Sequence, residues 1–231
     1  MKKGTWLLLG VAIVAVAVVV ALAIAGVFSS PKEAAAVPPI VVAIDAGHGG
    51  SDPGAVVGDV YEKDINAAIV SRIKALIDAN PRLDARFTRT LDVTVANADR
   101  VTMAEEAEAI LYVSIHVNAF HDESVHGMEV WVDDTRTADD PSWALARAIE
   151  EQLAAATGAR DRGVRSQESY LHRLAIPSVS VEIGYLTNPE ERAQLLNEVY
   201  QQQVATGVLN GIRAFLIETG EFVDNGQESE S

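Results

Sequence analysis

Hydrophobic positions along the chain follow three patterns. The first is an unbroken apolar run from Leu7 to Phe28, preceded by Met1-Lys2-Lys3. As a helix rising about 1.5 Å per residue it extends roughly 33 Å, enough to cross the hydrocarbon core of a bilayer. Residues 1–28 are therefore expected to be a transmembrane anchor. Lys2 and Lys3 set the N-terminus in the cytoplasm, which puts the body of the chain outside the cell membrane. A cleaved signal peptide is the competing reading, since Ala23-Ile24-Ala25 has the small-x-small form of a cleavage site and would leave the body secreted. The retained anchor is favoured because the run continues past that site. Residues 29–39 (SSPKEAAAVPP) carry three prolines and small side chains and read as a linker.

The second pattern is a set of short apolar runs, Ile40 to Asp45, Ile110 to Ile115 and Ser178 to Ile183, which predict core strands. Arg86 to Arg89 and Met128 to Val132 are shorter strand candidates. The third pattern has helical period. Ile65, Ile69, Ile73, Leu76 and Ile77 line one face of a helix from about Glu62 to Ala79, ended by Asn80-Pro81. Val204, Val208, Ile212 and Phe215 do the same for a last helix before Gly220, and Trp143 to Ala156 is another. Strands alternating with helices predict a single α/β domain over residues 40–220. Residues 221–231 have little apolar content and read as an acidic, disordered tail.

Charge and composition narrow the function. Of the overall charge of −15, residues 1–39 contribute +2, so the remainder carries −17. Such a body repels phosphate backbones, and no nucleic acid is expected as a partner. The absence of cysteine excludes disulfide scaffolds, iron–sulfur clusters and thiol nucleophiles.

The candidate chemistry lies at the strand ends. The first strand runs into Asp45-Ala46-Gly47-His48-Gly49-Gly50, which fits neither G-x-G-x-x-G nor a P-loop, because Ala55 stands where the lysine must be. What remains is a histidine among glycines, on backbone that can bend tightly. A second strand ends in His116-Val117-Asn118, a third contains Glu182, and Glu62 opens the first helix. Two histidines and a carboxylate from separate elements are the ligand set of a catalytic zinc with an open fourth position. His121 and His126 are five apart in a polar segment, the wrong spacing for one helical face, and read as surface residues.

From about Ile40 to Leu216 the chain resembles the zinc-dependent N-acetylmuramoyl-L-alanine amidases of the Amidase_3 type. The resemblance rests on IDAGHGGSDPGA, YEKDINAAI, FTRTLD, Asp99-Arg100, YVSIHVNA, DRGVR and PSVSVEIGYLTNPEE, in the family's order. It implies a central mixed, twisted sheet flanked by helices, with peptidoglycan as substrate and one zinc per chain on His48, Glu62 and His116. It makes Glu182 the catalytic acid and base. Asp45 is expected to orient a ligand imidazole, and Arg89, Asn118 and Arg162 to bind substrate or support the site, with salt-bridge or loop-capping roles as the alternative. His172 stands where the family usually has arginine and is expected near the edge of the site, as a substrate contact or a surface residue. Tyr185 stands where phenylalanine is usual. Two rival functions are a carboxypeptidase-like zinc peptidase of the cell wall and a non-catalytic peptidoglycan-binding module.

Overall fold

The computed structural model describes residues 38–222. The expected anchor at Leu7 to Phe28, most of the linker and the tail beyond Phe222 lie outside the described residues. Among the described residues no helix is long and apolar enough to cross a membrane.

The domain is built on a six-stranded mixed sheet in the order β4-β1-β5-β8-β6-β7. Its strands are β1 (Ile40–Ala46), β4 (Leu83–Phe87), β5 (Tyr112–Asn118), β6 (Met128–Asp133), β7 (Asp161–Gln167) and β8 (Ser178–Tyr185). β4, β1, β5 and β8 run parallel, whereas β6 is antiparallel to β8 and parallel to β7. A two-residue hairpin, β2 (Val56–Val57) with β3 (Val60–Tyr61), leads directly into helix α1 (Glu62–Asp78). The remaining helices are α2 (Asn97–Glu106), α3 (Pro141–Thr157), α4 (Pro189–Leu195) and α5 (Glu198–Glu218), and a 3-10 turn spans Tyr170–Arg173.

Strand periodicity divides the sheet into two unlike faces. On the back face Ile44, Val113 and Val179 form one row across β1, β5 and β8, and Ile115, Val181 and Val130 form the next. These residues are buried together with Ile65, Ile69 and Ile73 of α1, Leu145 and Ile149 of α3, and Val204, Val208 and Ile212 of α5. The predicted stripe on α1 therefore faces the core. Helices α3 and α5 approach so closely that a Cβ on Gly211 would collide with the backbone of Ile149. Local signals fix the helix starts: Asp140 accepts from the Ser142 amide ahead of α3, and Asn197 from the Val199 amide ahead of α5. The front face is thinner, covered by a small cluster of Val101, Ala104, Leu171 and Leu174 against Ala43 and Tyr112.

Several elements differ from the sequence expectation. The fourth strand is Leu83–Phe87 and not Arg86 to Arg89, because it pairs in register with Ile40 to Ile44 and Arg89 turns off into the following loop. Helix α2 was unexpected: its sequence NADRVTMAEE has no apolar stripe, and the buried face includes Arg100 beside Val101 and Ala104. The edge strand β7, DRGVRSQ, has no alternation, since it is exposed or half-buried along its whole length.

Candidate metal centre and active site

Three potential ligands converge at the C-terminal rim of the parallel strands. His48 follows β1, Glu62 opens α1, and His116 lies near the end of β5. One ligand atom from each lies within 4.8 Å of the others. Glu62 Oε1 is 3.2 Å from His48 Nε2 and 3.0 Å from His116 Nδ1, and the two rings stand edge to face with centroids 5.0 Å apart. Ligand bonds of about 2.0–2.1 Å in a tetrahedral site place neighbouring donors about 3.3 Å apart, so this two-nitrogen, one-oxygen set fits a metal such as zinc.

The charge of the cluster points the same way. The hydrogen bond to Glu62 leads a set of carboxylate interactions with Glu62 and Asp52 that raises the His48 pKa to about 9. Burial works against a charged His116, yet its bond to Glu62 and the nearby carboxylates still raise its pKa. Burial likewise opposes ionisation of Glu62, but hydrogen bonds from both rings hold it below the usual carboxylate range. The cluster thus stabilises positive charge, as a cation site must.

Next to it stands Glu182. It lies on β8, opposite His116 of β5 on one side and Glu129 of β6 on the other, so the three side chains form one row on the front face. Burial, against the pull of His116 and reinforced by Glu62 and Glu129, pushes the Glu182 carboxyl up to about 7. A carboxyl tuned to that range both accepts and returns a proton near neutral pH.

The loop bearing His48 is held by buried arginines. Arg89 donates to the carbonyls of Ala46, Gly47 and Lys63. Arg100 donates to the carbonyls of Ala46 and His48 and pairs with Asp45. This clamp holds His48 at φ 61°, a left-handed conformation uncommon outside glycine. Gly47 must be glycine because a Cβ there would strike the His116 ring.

The Amidase_3 model, described as N-acetylmuramoyl-L-alanine amidase, matches residues 42–214, well over half of the chain. The chain belongs to this amidase family. It is 36% identical over 169 residues to the N-acetylmuramoyl-L-alanine amidase LytC of Bacillus subtilis (strain 168), a match covering 73% of this chain but only 34% of LytC. The catalytic domain of CwlV, an N-acetylmuramoyl-L-alanine amidase from Bacillus (Paenibacillus) polymyxa var. colistinus, superposes with a TM-score of 0.73 at 37% identity, over 77% of this chain and 98% of that one. An N-acetylmuramoyl-L-alanine amidase from Clostridium difficile 630 gives 0.76 at 31% identity, over 80% of this chain and 100% of that one.

Within this amidase-family domain, the supporting residues differ from expectation more than the central four do. Asp45 does not orient an imidazole. It is fully buried, and its oxygens accept from Arg100, Thr88 and Ser114 instead. The imidazole partner is Asp52, whose Oδ2 lies 2.8 Å from His48 Nδ1. Its position four residues on, in the same glycine-rich loop, was the available signal. Arg89 is buried, with its guanidinium on backbone carbonyls, which corrects the substrate-binding reading in favour of loop-holding. Asn118 caps the end of β5: its Oδ1 accepts from the Ala119 amide and its carbonyl from Leu186. His172 is not at the edge of the site. It bonds the Ser169 carbonyl at 2.5 Å and lies 3.9 Å from Asp133. Because β6 runs antiparallel to β8, Asp133 lies toward the start of β8 and away from Glu182. Arg162 does reach the site's surroundings, paired with Glu129, a buried residue that sequence reading did not single out.

Proposed function

We propose that this chain hydrolyses the amide bond between N-acetylmuramic acid and L-alanine in peptidoglycan, with zinc held by His48, Glu62 and His116 and with Glu182 as acid and base. The observation that carries the reading is the row itself: a fitting metal-ligand set with the Glu182 carboxyl opposite His116 on the adjacent strand. When bound, zinc supplies Lewis-acid chemistry, acidifying a water and polarising the amide carbonyl. Glu182 accepts the proton of the attacking water and returns it to the departing alanine nitrogen. Asp52 keeps the His48 ring oriented through Nδ1, leaving Nε2 directed at the cluster. Arg89 and Arg100 hold the backbone that carries it. The names of the similar proteins support the choice of bond, and the two-nitrogen, one-oxygen donor set supports zinc as the metal.

We also propose that residues 7–28 anchor the chain in the cell membrane with the domain on the outer side. The apolar run and the lysines before it support this reading.

Digestion of purified peptidoglycan, with products resolved by mass, tests the activity. The expected products are peptides beginning with a free alanine amine and intact glycan whose muramic acid residues carry free lactyl carboxylates. Stem peptides shortened from their far end while still attached to glycan would identify a carboxypeptidase instead.

A further inference from the structure

The rim groups stand in strand order: the His48 loop after β1, His116 on β5, Glu182 on β8, Glu129 on β6, and then the edge strand β7. Glu129 is only 1% exposed. A carboxylate buried this deeply is costly unless it is paired. Its Oε1 accepts from Arg162 Nε and from the Tyr185 hydroxyl at 2.8 Å, and Arg165 Nε lies 3.7 Å away. The Tyr185 hydroxyl is therefore spent on holding Glu129. Arg162 stacks over the Tyr185 ring at 5.3 Å and Arg165 over Trp131 at 5.9 Å, which fixes both guanidinium planes. Arg162 lies between Glu129 and the buried Glu191, which balance its charge, whereas Arg165 is 3.7 Å from Glu129 and its guanidinium is the more available of the two. The Arg165 side chain is 43% exposed and accessible to a ligand.

We infer that Arg162 and Arg165 form a receptor for a carboxylate of the stem peptide, the α-carboxylate of the glutamyl residue that follows L-alanine. The inference rests on the amidase reading. The departing amine takes its proton at Glu182, so the leaving peptide begins over β8, while the acyl group lies toward His48 and His116. Continuing away from the metal ligands, the peptide passes over β6 and β7. Strands lie about 4.8 Å apart and an extended peptide advances roughly 3.3 Å per residue, so the next residue's carboxylate arrives one to two strands from Glu182. That is where the two guanidiniums converge. Glu129 is a positioning residue that sets them there, and the preferred substrate is a stem peptide with this carboxylate free and not amidated.

The test uses two muramoyl peptides that differ only in whether this group is carboxylate or carboxamide, with zinc-loaded full-length protein. Wild type should favour the carboxylate form in kcat/KM. Arg165→Gln, at an exposed position that leaves the fold intact, should lose about tenfold on the carboxylate substrate, the scale of one charge-assisted hydrogen bond, mainly through KM. On the carboxamide, whose oxygen still accepts from the guanidinium but carries no charge, the loss should be distinctly smaller. Equal losses on both substrates, or no loss on either, would overturn the receptor while leaving the amidase reading in place. Failure of wild type to release peptide from either substrate would overturn both.

Discussion

The two faces of the central sheet are made by alternate residues of the same strands, yet they are built on different principles. The back face repeats valine, isoleucine and leucine and is covered by α1, α3 and α5. Its stability comes from apolar burial, which is non-directional and tolerant of shape-conserving change. The front face buries Asp45, Ser114 and Glu129 and carries His116 and Glu182 among them. Each of its buried polar groups has specific partners drawn from distant parts of the chain. Removing one partner leaves another group unsatisfied in a medium that cannot solvate it. One face secures the fold, and the other uses that rigidity to hold charges in a fixed row.

The largest contrast should appear at Asp45. Asp45→Asn leaves Arg100 buried without its counter-charge and should cost about 3–5 kcal/mol in denaturant unfolding at pH 7. Burial would raise the pKa of Asp45, but Arg100, Ser114 and Thr88 outweigh it and hold the carboxyl below its ordinary 3.8. Its contribution is therefore present above that value and fades as pH falls through the folded-state pKa, so the gap between wild type and variant should narrow in acid. A small gap at pH 7, or one that persists unchanged in acid, would break the contrast.

A smaller effect is expected where the front face meets the metal ligands. Asp52→Asn removes the carboxylate from His48 Nδ1 and should weaken zinc affinity by about 10–100-fold, with little change in melting temperature of the zinc-free protein. Competition with a chelator of known affinity measures it. The smallest effect belongs to the back face: Ile73→Val deletes one buried methylene and should cost about 1 kcal/mol while leaving zinc affinity at the wild-type value. A shift in zinc affinity there would show that the faces are not separable.

The same contrast explains what the sequence made legible. The back face was readable because local periodicity encodes it: the α1 stripe and the apolar runs of β1, β5 and β8 needed no knowledge of partners. His48, Glu62 and His116 could be singled out because each stands at or near an element boundary, with glycines around His48 and a strand end at His116, whereas Glu182 lies inside β8 and its role was implied by the family resemblance. The supporting pairs were not. Asp45 meets Arg100 across 55 residues and Glu129 meets Arg162 across 33, and nothing local in either segment announces the other. Asp45 is expected at an imidazole because metal-bound histidines often need an acceptor for the other ring nitrogen, whereas its side chain points into the sheet's front cluster toward Thr88 and Ser114. Helix α2 escaped notice because its buried face is partly an arginine.

The most direct test of the account separates the two carboxylates, one assigned to the metal and one to the proton. Zinc content and amidase rate are measured for Glu182→Gln and Glu62→Gln side by side. Glu182→Gln should keep one zinc per chain and a near wild-type melting temperature, while its rate falls by on the order of 10² or more, the scale of general acid and base catalysis. Glu62→Gln should lose zinc affinity first and recover part of its rate in excess zinc. If Glu182→Gln lost the metal while Glu62→Gln kept it and stayed inactive, the assignments would be reversed. If both variants cleaved muramoyl-alanine at the wild-type rate, the row at the rim of the front face would not be the active site.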